Sequence, residues 1–204
     1  MQIAYNKSNR YEKVKYIVIH DTGNKSKGAD APAHFNYFNT GNRNASADFF
    51  VDDKQALQVN DYNKFYTWHC GDGKGRNGIT NSNSVGVEIC VNGDGDFEKA
   101  KKNAQTLVKR LMKELDIPID RVVRHFDVSG KNCPQSFSAS DWGNFKKGLA
   151  EELTDIDEIV AELAQRGIVT DKDGMLLEMK QNPHGRLYWL ARKMLNRLIQ
   201  EEVK

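Results

Sequence analysis

The stretch SVGVEICV, residues 84–91, is the feature that most limits what this chain can fold into. Its period is two. Val85, Val87 and Ile89 share one face, while Gly86, Glu88 and Cys90 share the other. It reads as a central strand. YIVIH at 16–20 reads as a second buried strand, and RVVRHF at 121–126 as a further short one. ADFFVDD and ALQV read as two short strands joined by Asp-rich turn chemistry. Helical patterns fall between them. ADAPAHFNYFN has Pro32 near its first turn. Across 97–115, Ala100, Ala104, Leu107, Val108, Leu111 and Leu115 recur at spacings of three and four. SFSASDWGNFKKGLAEEL reads as a closing helix with a Ser cap. Strands interleaved with helices predict an α/β fold, a mixed central β-sheet flanked by helices. The Gly- and Asn-rich stretch from Cys70 to Ser84 predicts a long surface loop.

A second unit is expected from Thr154, giving domains 1–153 and 154–204. In DIDEIVAELAQRG, Ile156, Ile159, Val160, Leu163 and Ala164 form one apolar stripe, and Gly167 is a natural C-cap. Met175 to Lys180 reads as a short helix ended by Pro183. Leu187, Leu190, Ala191, Met194, Leu195 and Leu198 form another stripe. This is a small all-helical module, near the lower size limit for independent folding.

His20 closes the first apolar run, and His125 and Cys133 lie eight residues apart in RHFDVSGKNC. Neutral imidazole and thiolate are the nitrogen and sulfur donors that zinc prefers. Three such donors with no obvious fourth describe a catalytic site, since a closed structural site wants four. The residues also allow a plainer reading, of half-buried hydrogen-bonded histidines and an inert small thiol. Glu88, on the small-residue face of its strand, is either a structural ion pair or a carboxylate tuned for proton transfer. His34 among Phe35, Tyr37 and Phe38 reads as structural, His184 as a loop residue, Cys70 and Cys90 as buried thiols, and Trp68 as a structural ring buried under the site or, alternatively, a ring facing the sugar.

YIVIHDTG, NASADFFVDD, WHCGDG, SVGVEIC and RHFDVSGKNCPQ occur in the order seen in zinc-dependent N-acetylmuramoyl-L-alanine amidases of the type-2 family. That group includes phage endolysins and peptidoglycan recognition proteins, and the resemblance covers roughly residues 1–150. It implies Zn²⁺ held by His20, His125 and Cys133. It implies that Glu88 acts on the attacking water, that Lys131 is the cation associated with the transition state, and that His69 contacts substrate. Read from the residues alone, Lys131 is also a solvated surface lysine and His69 a polar rim residue. The activity implied is hydrolysis of the amide between N-acetylmuramic acid and L-alanine in bacterial peptidoglycan, as in a phage or prophage endolysin. One departure is visible. Ala47 stands where some relatives place a catalytic Tyr, and Asp48 stands where a His is common. Asp48 then reads as a surface or hydrogen-bonding residue.

Composition narrows the alternatives. A formal charge of +2 and the lack of a basic run give no nucleic-acid signal. Three cysteines are an odd number without disulfide-framework spacing and fit a reducing compartment. No run approaches the roughly 20 apolar residues of a membrane span. MQIAYNKSNRYEK has no apolar stretch for a signal peptide. The expectation is therefore synthesis in the bacterial host cytoplasm and action on the wall after release. The helical tail is expected either to bind the wall or to pair two copies of the chain, the plainer reading being that its two stripes only pack on each other. Two other functions compete. A non-catalytic peptidoglycan-binding module of the same fold usually lacks the Cys ligand. A cysteine peptidase using Cys133 and His125 fits poorly with both residues in one loop and a Pro after the Cys.

Overall fold

A computed structural model describes residues 1–71, 76–150, 156–182 and 185–201. The chain forms two compact units, Met1–Ala150 and Glu151–Lys204. In the first, β1 (Lys7–Asn9) pairs antiparallel with β5 (Phe65–Thr67). The main sheet has five strands in the order β4-β3-β6-β2-β7: Ala56–Gln58, Phe49–Val51, Ser84–Ile89, Tyr16–Asp21 and Val122–Arg124. β3, β6, β2 and β7 run parallel to their neighbours, and β4 is antiparallel to β3. The sheet is mixed because the short Asp-rich turn between β3 and β4 permits only a hairpin, whereas the parallel strands are joined by longer crossovers.

The alternation in β6 is realised in the packing. Val85, Val87 and Ile89 join Ile17, Ile19, Phe49 and Val51 in one core. That core is covered by Ala104, Val108 and Leu111 of α2 (Phe97–Glu114) and by Phe145 and Leu149 of α4 (Ala139–Ala150). Each fully buried aliphatic side chain here stabilises the unit by about 1.5–3 kcal/mol. Asp96 caps α2 by accepting from the Lys99 N–H at 3.0 Å. On the opposite face α1 (Ala31–Asn39) packs Ala31, Phe35 and Phe38 against Phe50 and Cys90. Asp30 caps α1, with Pro32 in its first turn. The middle of this second face, around Gly86, Glu88 and His20, carries the polar residues.

Three expectations change. RVVRHF does not extend as a strand to Phe126, because the backbone turns helical at His125 to start α3 (His125–Ser129). The 70–84 stretch is not all surface. Ile79, Asn81 and Asn83 are buried, and Asn81 Oδ1 accepts from the N–H groups of His69 and Cys70. Of the two readings of Asp48, the hydrogen-bonding one holds and the surface one does not. Asp48 is fully buried, and its carboxylate accepts from Asn60 Nδ2, Thr67 Oγ1 and the Gly86 N–H at 2.7–2.9 Å. Trp68 is 39% exposed rather than buried, and its Nε1 donates to Ser8 Oγ at 3.2 Å.

The second unit comprises α5 (Ile156–Gln165), α6 (Lys172–Gln181) and α7 (Arg186–Glu201). Ile159, Val160 and Leu163 pack with Met179, Tyr188 and Ala191. Gly167 adopts φ 70° after α5, a conformation that suits glycine. On α7, Leu190 and Met194 are exposed and Tyr188 takes their expected place in the core. Pro183, His184 and the 151–155 junction lie outside the described residues, as do the side chains of Ile156, Leu195 and Leu198. No helix among the described residues is long and apolar enough to cross a membrane.

Candidate metal centre

Strand register builds the centre. His20, near the end of β2, is the pairing partner of Glu88 on β6, and Phe50 of β3 pairs with Glu88 on its other side. His125 follows directly from the end of β7, which pairs with β2. Gly130, in the left-handed conformation at φ 80°, ends α3 and lets the chain reverse. The return is pinned by the Phe126 N–H donating to the Cys133 carbonyl at 2.9 Å. It is pinned again by the Ser136 N–H donating to Asp21 Oδ2 at 2.6 Å.

The result is a buried trio. One donor atom each from His20, His125 and Cys133 lies within 4.8 Å of the others, and all three residues are buried. Cys133 Sγ is 3.7 Å from His20 Nδ1, and the two imidazole centroids are 4.7 Å apart. Glu88 Oε1 lies 3.9 Å from the same His20 Nδ1.

The electrostatics suit a cation. Burial, followed by the neighbouring His69, holds the His20 imidazole well below its usual range, so it stays neutral and keeps a lone pair. Burial and the Lys131 charge bring His125 down to about 4. Burial and the Glu88 charge push the Cys133 thiol up to about 12. Burial and Asp21 raise Glu88 to about 8. His20 and Glu88 therefore do not form an ion pair despite their proximity. Glu88 Oε2 and His125 Nδ1 are buried and have no hydrogen-bond partner. Such orphaned atoms are costly, and a divalent cation is the group that satisfies neutral imidazoles and draws the proton from a buried thiol. The donor set of two nitrogens and one sulfur fits zinc. It fits a nucleophilic cysteine poorly, because a thiol held at about 12 is not a thiolate at neutral pH.

The remaining expected site residues fall around the trio. Lys131 is exposed, and its charge bears on His20, His125, Cys133 and Glu88. His69 is buried directly behind His20, with Nδ1 3.1 Å from His20 Nε2 and Nε2 3.1 Å from Ser84 Oγ. Cys70 and Cys90 are buried and outside the trio.

Two hollows flank the centre. A cleft of about 520 Å³ runs past Trp68, His69, Asn81 and His125. A second hollow, of about 330 Å³, is lined by Thr22, His34, Tyr37, Phe38 and Glu88 among others. His34 stacks on Phe50, with centroids 5.5 Å apart, yet its Nε2 and Thr22 Oγ1 are both buried without a partner. Thr22, Asp21 and Ser84 were not singled out from the sequence. Only the HDT run at the end of β2 hinted that residues beyond His20 reach the site.

The family model for N-acetylmuramoyl-L-alanine amidase, Amidase_2, matches residues 10–136, more than half of the chain and all of the metal centre. The chain belongs to this family. It is 44% identical over 142 residues to the N-acetylmuramoyl-L-alanine amidase CwlH of Bacillus subtilis (strain 168), covering 68% of this chain and 54% of that one. It is 45% identical over 134 residues to the amidase XlyA of the same organism, covering 66% of this chain and 43% of that one. The chain thus spans about half the length of the curated relatives it matches. Among solved structures, the catalytic domain of XlyA superposes with a TM-score of 0.65 at 41% identity, covering 71% of this chain and 92% of that one. The PlyG catalytic domain superposes with a TM-score of 0.61 at 33% identity, covering 75% and 98%. Residues 151–204 lie beyond the family match.

Proposed function

We propose that this amidase-family protein is a zinc-dependent hydrolase that cleaves the amide between N-acetylmuramic acid and L-alanine in bacterial peptidoglycan. The observation that carries the reading is the convergence of His20, His125 and Cys133, with the Glu88 carboxyl 3.9 Å from His20. The family membership of residues 10–136 supports it. The three side chains would hold zinc, which when bound supplies the Lewis acidity that polarises an amide carbonyl and acidifies water.

The chain's own residues account for the proton traffic. Glu88 takes a proton from the attacking water and passes it to the leaving nitrogen. With its pKa raised to about 8, the Glu88 carboxylate is a stronger base than an ordinary one and can hold the transferred proton before passing it on. Lys131 at the rim offers positive charge to the oxyanion that develops on the former carbonyl. Ala47 is buried against Phe50 and offers no phenol, which leaves the acid–base role to Glu88. The two hollows give a substrate with a sugar arm and a peptide arm a place on either side of the scissile bond. The wall is then the place of action, reached on release at host lysis. The helical unit serves wall targeting or pairs two copies of the chain.

Metal analysis tests the reading. About one zinc per chain is expected for the native protein. Cys133→Ser should bind zinc far more weakly and lose wall lysis. Zinc retained by that variant with native affinity rules out the assigned ligand set.

A further inference from the structure

The face of β6 that carries Glu88 also carries Gly86, and the missing side chain there has a specific occupant. A Cβ on Gly86 would lie 2.6 Å from His69 Cγ and 2.9 Å from its Nδ1. The His69 imidazole therefore sits in a notch cut by the glycine, pressed edge-on against His20 with ring centroids 5.2 Å apart. Both of its nitrogens are within hydrogen-bond distance of protein atoms.

Counting donors along this chain of contacts sets every proton. The Thr80 carbonyl can only accept, so the Ser84 hydroxyl proton points to it. Ser84 Oγ is then left to accept, and His69 Nε2, 3.1 Å away, must carry the proton. In a neutral ring the other nitrogen is bare, so His69 Nδ1 accepts. Its neighbour at 3.1 Å is His20 Nε2, which must therefore be N–H. His20 is left with a bare Nδ1. That is the atom 3.7 Å from Cys133 Sγ and 3.9 Å from Glu88 Oε1. The opposite tautomer would place a proton in the centre of the trio and set two lone pairs against each other behind it.

The geometry points to His69 as a positioning residue, which is seated by Gly86, oriented by Ser84, and fixes the His20 tautomer and ring plane for the metal. This rests on the proposed zinc site but goes further than the ligand set. It differs from a substrate-contacting role, because the nitrogens of His69 are turned to His20 and Ser84 rather than left free for a ligand. Partners of this kind affect metal affinity by about 10- to 100-fold.

Two measurements on the full chain decide it. The first uses long-range ¹⁵N–¹H correlation spectra of the metal-free native protein. His20 and His69 should both be protonated on Nε2, and a His20 protonated on Nδ1 overturns the inference. The second is competition for zinc with a chromophoric chelator. His69→Leu should weaken zinc binding by about 10- to 100-fold. His69→Asn, whose amide oxygen can take the place of Nδ1 as acceptor, should stay close to native. A folded His69→Leu with native zinc affinity and only a raised KM makes His69 a substrate contact and overturns the inference. A native chain that takes up no zinc overturns the metal site itself and this inference with it, an outcome distinct from a His69 variant that matches a zinc-loaded native protein.

Discussion

At the scale of single residues, burial changes what each titratable group can do. Glu88 is largely enclosed and lies near Asp21, which together raise its pKa to about 8 and make its carboxylate form a stronger base than an ordinary carboxylate. Glu88→Gln preserves the shape of the site but cannot cycle a proton. Turnover on muropeptides should fall by about 10²- to 10⁴-fold with zinc content unchanged, and a near-native rate would show that the base lies elsewhere. Asp48 has a structural part. Burial raises its pKa, and three donors work against that by gripping the carboxylate. Asp48→Ala would strand those donors at a cost of about 3 kcal/mol or more in urea unfolding, whereas a loss below about 1 kcal/mol would mean that water replaces the carboxylate. His34 carries a pH signature. Its imidazole is depressed below the usual 6.5, chiefly by burial, so the unfolded chain binds the extra proton first. The stability it contributes is complete above pH 6.5 and is lost as pH falls through the window beneath it. His34→Phe keeps the stack on Phe50 and should flatten that part of the pH–stability profile; an unchanged slope would show that other groups set it. His20, His125 and Cys133 could be picked out from the sequence because imidazole and thiolate are the donors zinc prefers, and the structure brings the three together. The His69–Ser84 link and the burial of Asp48 were not, since each depends on which loops fold back over the sheet.

Among the elements, β6 is the one whose pattern alone settled its place. Strict alternation with β-branched residues on one face leaves little choice, and the register that sets Glu88 beside His20 follows from parallel pairing with β2. The three-residue strands β1 and β5 were not legible. They pair across Lys7 and Thr67, and three residues carry too little periodicity to read. RVVRHF was misread past Arg124 because an apolar run does not reveal where the backbone turns into α3. Helix α2 was read almost to the residue, because its stripe is long. Leu111, fully buried at the centre of that stripe, anchors α2 to the sheet. Leu111→Ala should cost about 2–5 kcal/mol by chemical denaturation. A loss under about 1 kcal/mol would place the helix–sheet core elsewhere.

For the whole molecule, each unit has its own core. The apolar cluster of the helical unit draws on residues from Ile159 to Ala191, and the cluster beneath the metal centre runs from Val14 to Leu149. A fragment ending at Leu153 should therefore fold, bind zinc and cleave soluble muropeptides, while lysing whole walls less well than the full chain. An insoluble or unfolded fragment would join the tail to the catalytic core. The central claim, however, concerns one bond. Purified peptidoglycan digested with the zinc-loaded chain should yield new L-alanine amino termini and free lactyl carboxyl groups on muramic acid, read by mass spectrometry. Both should vanish in Glu88→Gln. New reducing sugar ends, cuts within the stem peptide, or no cleavage at all would contradict the account.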